Sequence, residues 1–291
     1  MKLRSAEWLL ILYFGYVAAI APRFPLGPRI NWQPFLVEVL VCALFLALAF
    51  GETREYPELF SILRDWVAVG LILVAYREMD WFSTLPRNFQ LELRWVEWDR
   101  ALLYQDGLQR AIEALGRAGA VYLELCYLLV YAVAPFVVAI LYVEQRRERV
   151  NGVLFLYLLG TLLSYALFPY FPSDPPRVAF GGTDLPHVTS AVRQLNLWLV
   201  GDYGIHSSVF PSAHVSSAFA AAWALLAYLP ERRRIGWGML AYAVSVALAT
   251  VYGRYHYAAD VAAGIGVSFV PAAMILLARR RPRVRGLLAL P

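Results

Sequence analysis

Residues 211–229 read PSAHVSSAFAAAWALLAYL, a run without a single charged side chain that stops against Glu231, Arg232, Arg233 and Arg234. Proline followed by serine is helix-start chemistry, and the alanines and leucines behind it are strong helix formers. A bilayer core of about 30 Å needs roughly 20 helical residues per crossing, so this run is a candidate span. Working outward with the same window gives further spans near 7–22, 34–50, 65–82, 120–143, 151–171, 235–252 and 258–278. The fold class is therefore all-α: a polytopic transmembrane helix bundle with about eight spans. The third span is the weakest, because only Trp66–Tyr76 is cleanly apolar before Arg77, Glu78 and Asp80.

Composition agrees. Hydrophobic residues make up 60% of the chain and charged residues 16%, whereas soluble domains average about 25% charged. Nine Trp and eighteen Tyr suit the membrane interface, where a ring is half wet and half buried. The net charge of +5 does not indicate a nucleic-acid partner, because the cations sit in short runs between apolar stretches. Cys42 and Cys126 lie inside apolar stretches without metal-ligand spacing and read as buried thiols. No internal repeat or soluble domain interrupts the pattern.

The basic residues set an expected orientation. With the N-terminus inside, the inner loops collect Lys2 and Arg4, Arg54 and Arg64, Arg146, Arg147 and Arg149, and Arg232–Arg234, with Arg279–Arg285 in the tail. Positive-inside logic then places both termini in the cytoplasm. The start of the chain also resembles a secretory signal ending at Ala19-Ile20-Ala21, although Pro22 is a poor cleavage context. Two segments are not spans. Residues 85–118 place Trp95, Trp98, Leu102, Leu103, Leu108 and Ile112 among charges, as an amphipathic helix in the outer interface would. Residues 172–208 open with Pro172-Ser173-Asp174-Pro175-Pro176-Arg177 and read as a loop.

Of the four histidines, two sit in informative settings. His214 falls in the first turn of the helix opened by Pro211-Ser212, where free backbone N–H groups form an anion site. His256 lies in Gly253-Arg254-Tyr255-His256-Tyr257-Ala258-Ala259-Asp260, four residues before Asp260. A carboxylate bound to one ring nitrogen fixes the tautomer and leaves the other nitrogen as nucleophile or base. Arg254 and Arg177 offer guanidinium forks for phosphate oxygens. In the expected topology all these groups face the same, outer side. A structural His256–Asp260 pair is the plain alternative, and Ser212 reads as a cap and backbone donor. His206 reads as a polar loop histidine, and His187 carries no signal. Glu38 and Glu124, acids inside apolar spans, read as structural partners for Arg77 or Arg100.

The three segments resemble the motifs of the type 2 phosphatidic acid phosphatase superfamily: Pro-Pro-Arg177, Pro211-Ser212-Ala213-His214, and Arg254 with His256 and Asp260. Ala213 and Gly253, together with Trp98-Asp99-Arg100-Ala101-Leu102-Leu103, are similar to the branch of inositol phosphorylceramide and sphingomyelin synthases. The motif resemblance covers about 172–264 and extends weakly back to about 60. It implies a six-helix catalytic core within 61–291, preceded by N-terminal spans in 1–60. The implied activity is a lipid-phosphate phosphatase or phosphotransferase working without cofactor or metal through a phosphohistidine. In it, catalytic His256, His214 and Asp260 act beside phosphate-binding Arg177, Arg254 and Ser212. Partners would be a lipid phosphate or phospholipid donor and water, a lipid or a polyol as acceptor, at the periplasmic face of a bacterial inner membrane. One departure stands out. The family's upstream lysine is absent, since Lys2 is the only lysine, leaving Arg100 or Arg77 to replace it. A lipid transporter without covalent chemistry is the alternative from another class.

Overall fold

The computed structural model describes residues 2–280 apart from 27–29, 31, 55 and 183. The cations expected to anchor the tail at Arg281, Arg283 and Arg285 lie outside the described residues. The described residues form helices α1 (Ser5–Ile20), α2 (Gln33–Gly51), α3 (Pro57–Glu78), α4 (Phe89–Arg100), α5 (Leu108–Glu113), α6 (Gly116–Leu129) and α7 (Val133–Val143). The series continues with α8 (Val150–Leu167), α9 (Pro176–Ala179), α10 (Ala191–Asp202), α11 (Ala213–Tyr228), α12 (Arg233–Tyr252) and α13 (Ala258–Arg280). No strand occurs among the described residues. Seven helical segments are long and apolar enough to cross a membrane, with α6 and α7 joined by a short 3-10 turn into one of them. The eighth expected span is α11, which is shorter at 16 residues.

Helix α11 is the axis of the bundle, packed by α8, α12 and α13. Its sequence explains why. Ala218, Ala220, Ala221, Ala222 and Ala224 are buried, and small side chains let helix backbones approach where lipid provides no hydrophobic drive. Gly160 of α8 meets this surface so closely that a Cβ there would lie 2.6 Å from the Cβ of Ala220. Ser164 and Ser216 hydrogen-bond across the same contact at 2.8 Å.

The third segment is longer than its apolar stretch suggested. It runs from Pro57 through a 3-10 extension to Thr84. Arg64 and Asp65, both buried, are tolerated because they are paired. Arg64 binds Glu7 at 2.5 Å and also Glu52, while Asp65 receives Arg4 at 2.7 Å and Arg147 at 3.0 Å. This network, with Arg146 and Arg149 on Glu231 and Arg232 on Glu144, lies at the end of the bundle where α8 begins and α11 ends.

Two expectations need correction. Residues 85–118 are not one amphipathic helix. Helix α4 gives way to a π-helical stretch Ala101–Gln105, and glycines at positive φ (Gly107 at 75°, Gly116 at 68°) break the chain before α5 and α6. Nor is 172–208 all loop. Pro176 starts a single turn, α9, consistent with proline's fitness for the first helical position. Ser190 caps the 12-residue α10 by accepting a hydrogen bond from the Arg193 N–H at 3.1 Å.

Candidate active site

The three motif segments converge at the end of the bundle where α8 finishes and α11 and α13 begin. The Arg177 backbone N–H donates to the Arg254 carbonyl at 3.2 Å, and the Ser212 N–H donates to the Asp260 carbonyl at 2.9 Å. These two bonds tie the first segment to the third and the second to the third. Ser212, fully buried, caps α11 by accepting from the Val215 N–H at 3.4 Å. Helix α13 comes so close behind it that a Cβ on Gly264 would sit 2.6 Å from the Ser212 carbonyl oxygen.

The loop that carries His256 is a compact turn. The N–H groups of Tyr255 and His256 both donate to the Thr250 carbonyl, at 2.9 and 3.1 Å. The Tyr255 ring folds back over Gly253, where a Cβ would lie 2.3 Å from the ring. That contact is a physical reason for glycine at this position, where the resembled family has serine. Arg254 follows at φ 61°, a left-handed conformation uncommon for residues other than glycine. Its side chain pairs with Asp99 of α4, both partners buried. Asp99 also accepts the Ala258 N–H at 2.7 Å, so one carboxylate fixes the loop and the start of α13.

The rings of His214 and His256 meet edge to face, inclined at 61° with centroids 5.6 Å apart. His256 Nδ1 lies 2.9 Å from the Val209 carbonyl oxygen and 3.2 Å from Asp260 Oδ2, both acceptors, which assigns the proton to Nδ1 and leaves Nε2 free. Asp260, fully buried, also accepts the Tyr257 N–H at 2.9 Å. His214 Nε2 is buried without a hydrogen-bond partner among the described residues. Burial, then the neighbouring His214 and Arg177, holds the His256 imidazole well below its usual titration range. At neutral pH the ring is therefore unprotonated at Nε2.

Both histidines line a cavity of about 580 Å³. Arg177 lines it beside them, and its remaining walls are mostly apolar: Val69, Gly70 and Leu73 of α3, Val130, Ala134 and Pro135 around the α6–α7 junction, and the rings of Tyr127, Tyr131, Tyr157 and Tyr165. Two arginines, Arg77 and Arg177, and no carboxylate are among the lining residues, which suits an anion carrying an apolar body.

Of the expected site residues, His214, His256 and Arg177 share this cavity, with Asp260 and Ser212 immediately behind the histidines. Arg254 does not line it: one terminal nitrogen is engaged by Asp99, and Nη2 is buried without a partner. Of the two candidates for the missing lysine, Arg77 lines the cavity, whereas Arg100 is bound to Asp184 at 2.8 Å.

The expected partners of the intramembrane acids were wrong. Glu124 is bound by Arg193 at 2.7 Å, and Glu38 accepts from the Cys42 thiol at 3.3 Å. His206 pairs with Asp80 and His187 with Glu113, and neither lines the cavity that holds His214 and His256. Glu124, Tyr127, Tyr131 and Arg193 carried no site expectation. The first three recur at i, i+3 and i+7, Glu124 and Tyr127 on α6 and Tyr131 in the 3-10 turn that continues it, so the signal was present in the spacing. Among the described residues, no group of three or more His, Cys, Asp or Glu gathers as a metal site.

A bundle of apolar helices that gathers two histidines and two arginines at one largely apolar cavity defines a class, the integral membrane proteins. The chain belongs to the PAP2 superfamily, whose family model matches residues 96–275. Matching starts within α4, so α1, α2 and α3 precede the matched region while α3 still contributes to the cavity wall. No curated protein and no solved structure matches the chain. Membership makes this a membrane protein of a phosphatase-type family acting on membrane lipids.

Proposed function

We propose that this protein transfers a phosphoryl or phospho-headgroup from a lipid donor to an alcohol or to water through a phosphohistidine on His256. The observation that carries the reading is the pair of adjacent imidazoles, 5.6 Å apart, at an apolar cavity whose lining offers arginine and no carboxylate.

In the first step, His256 Nε2 attacks phosphorus and the P–N bond forms as the P–O bond to the leaving group breaks. The bound phosphate anion supplies the counter-charge under which His214 takes a proton from solvent, and His214 gives that proton to the departing oxygen. Asp260 and the Val209 carbonyl hold the Nδ1–H and favour the imidazolium that develops on His256. In the second step, neutral His214 takes the proton of the incoming hydroxyl, whose oxygen displaces His256. Arg177 and the N–H groups at the start of α11 spread the charge on the equatorial oxygens. Ser212 serves as backbone donor and cap, and Arg254, paired with Asp99 and off the cavity wall, holds the loop that carries His256.

A phosphodiester donor with a single negative charge suits this charge inventory better than a phosphomonoester dianion. The family's lysine is missing, and Asp99 neutralises Arg254. A plain lipid or polyprenyl phosphatase is the second reading, favoured if water reaches the intermediate as readily as an alcohol does. The positive charges at the opposite end of the bundle favour an outer-face site with cytoplasmic termini. Residues 61–291 then form the catalytic unit and 1–60 an N-terminal anchor.

The test is trapping. Wild-type protein incubated with a phosphate-labelled lipid panel and quenched in alkali carries acid-labile label on His256. The Asp260→Asn variant carries much less, and His256→Ala carries none and does not turn over. An active His256→Ala variant would falsify the mechanism, and transport without label would replace it with a carrier.

A further inference from the structure

The catalytic histidine that approaches the leaving group and the arginine that grips phosphate sit on separate segments, yet one aromatic stack joins them. The Tyr127 ring lies parallel to His214, centroids 5.1 Å apart at 9°, and parallel to Tyr255 on another neighbour, at 3.7 Å and 10°. The guanidinium carbon of Arg177 lies 5.5 Å from the Tyr255 ring centroid, within cation–π range. The order in space is His214, Tyr127, Tyr255, Arg177.

The stack cannot slide freely, because one end is hydrogen-bonded. The Tyr255 hydroxyl donates to Glu124 Oε2 at 2.6 Å. Glu124 is held in turn by Arg193 Nη1 on its other oxygen at 2.7 Å and by the Asn196 amide at 2.8 Å. Arg193 reaches back to the Gly253 carbonyl at 3.3 Å, closing the network on the loop that carries His256. Glu124, Arg193, Asn196 and Tyr255 are all buried. Both carboxylate oxygens of Glu124 and the Tyr255 hydroxyl are paired within this cluster, which holds the Tyr255 ring in one arrangement; of its side-chain polar atoms, Asn196 Oδ1 is the one left without a partner among the described residues.

We propose that Glu124, Tyr127 and Tyr255 are positioning residues. Glu124 anchors the Tyr255 ring, the ring sets where the Arg177 guanidinium meets phosphate, and Tyr127 sets the plane of His214 against His256. None of the three needs to touch the reacting atoms. The proposal rests on the phosphate-transfer reading above; Glu124 and Tyr127 lie outside its three motifs, and Tyr255 lies inside the third without a role assigned there.

The probe is orthovanadate, a phosphate mimic, added to the purified full-length protein in micelles, with thermal unfolding as readout. Losing a cation–π contact of ordinary strength raises the half-saturating vanadate concentration by about tenfold in Tyr255→Leu. Tyr255→Phe, which keeps the ring and loses only the hydroxyl, stays within about threefold of wild type by the same reasoning. Both variants unfold at a lower temperature than wild type without vanadate, because Glu124 loses a buried partner, so each vanadate response is read against the variant's own unligated unfolding temperature. Tyr127→Phe keeps the pH profile of turnover, and Tyr127→Leu displaces the limb that His214 sets. Equal vanadate affinity in Tyr255→Leu and wild type overturns the proposal while leaving the phosphate site intact. Absence of vanadate stabilisation in the wild type instead defeats the phosphate-transfer reading itself. Should Tyr255→Leu fail to fold, Tyr127→Met decides, since it fills similar volume without a ring: unchanged vanadate affinity together with an unchanged pH profile overturns the proposal.

Discussion

Removing the Asp99 carboxylate tests whether Arg254 serves as a pin or a phosphate ligand. Asp99 is 0% and Arg254 1% exposed, and they form an ion pair that no solvent screens. Asp99→Ala leaves a buried guanidinium without a counter-charge, a change that costs about 3–5 kcal/mol. It also strips the acceptor from the Ala258 N–H at the start of α13, a loss of about 1–3 kcal/mol that overlaps the first. A total near 4 kcal/mol shifts the folded-to-unfolded ratio by about a thousandfold. Reversible unfolding in mixed micelles measures it. Asp99→Leu combined with Arg254→Met removes both charges, and the double-mutant cycle then returns about 3 kcal/mol of coupling. A cost below about 1 kcal/mol for Asp99→Ala would refute the buried pair, because an exposed pair is worth no more than that. The folded double variant also separates the roles of Arg254. Retained turnover makes it a pin, and lost turnover assigns its free nitrogen to phosphate.

Further outcomes follow from the same geometry. Because burial holds His256 below its usual value of 6.5, its acid limb in kcat/KM lies below pH 6.5, read from a rate–pH profile. The stability contribution of that neutral ring is complete above pH 6.5. It falls away as pH drops toward the depressed folded-state value, because the unfolded chain then binds the extra proton, so the unfolding midpoint falls on acidification. Gly264→Ala drives a methyl to 2.6 Å from the Ser212 carbonyl and costs about 1–3 kcal/mol, with kcat reduced as the His214 turn shifts, measured by unfolding and turnover together. A chelator leaves turnover unchanged, and loss of activity on dialysis against EDTA, restored by a divalent ion, would refute metal independence. In a variant lacking Cys42 and Cys126, an impermeant maleimide added to intact cells labels Leu185→Cys and spares Glu148→Cys if the site faces outward.

Much of this protein was determined by composition and periodicity. The absence of charge from 211 to 229, and its scarcity in most of the other long runs, dictates membrane helices, because only a helix satisfies its own backbone in lipid. The Pro-Ser-Ala-His start and the four-residue spacing of His256 and Asp260 are local features, so the Ser212 cap and the His256–Asp260 contact were readable directly, although His256 sits in the turn before α13 and not on the helix. What the sequence left open concerned partners distant along the chain. Nothing local shows that Asp99 reaches Arg254 across 155 positions, or that Glu124 finds Arg193 in preference to Arg77 or Arg100. The breaks at Gly107 and Gly116 and the helix α10 inside an expected loop depend on caps and neighbours weaker than a 20-residue apolar signal. Tertiary packing alone decided which arginine faces the cavity. A guanidinium's side chain is long enough to serve either face of its loop, and only the location of the nearest buried carboxylate selects between them.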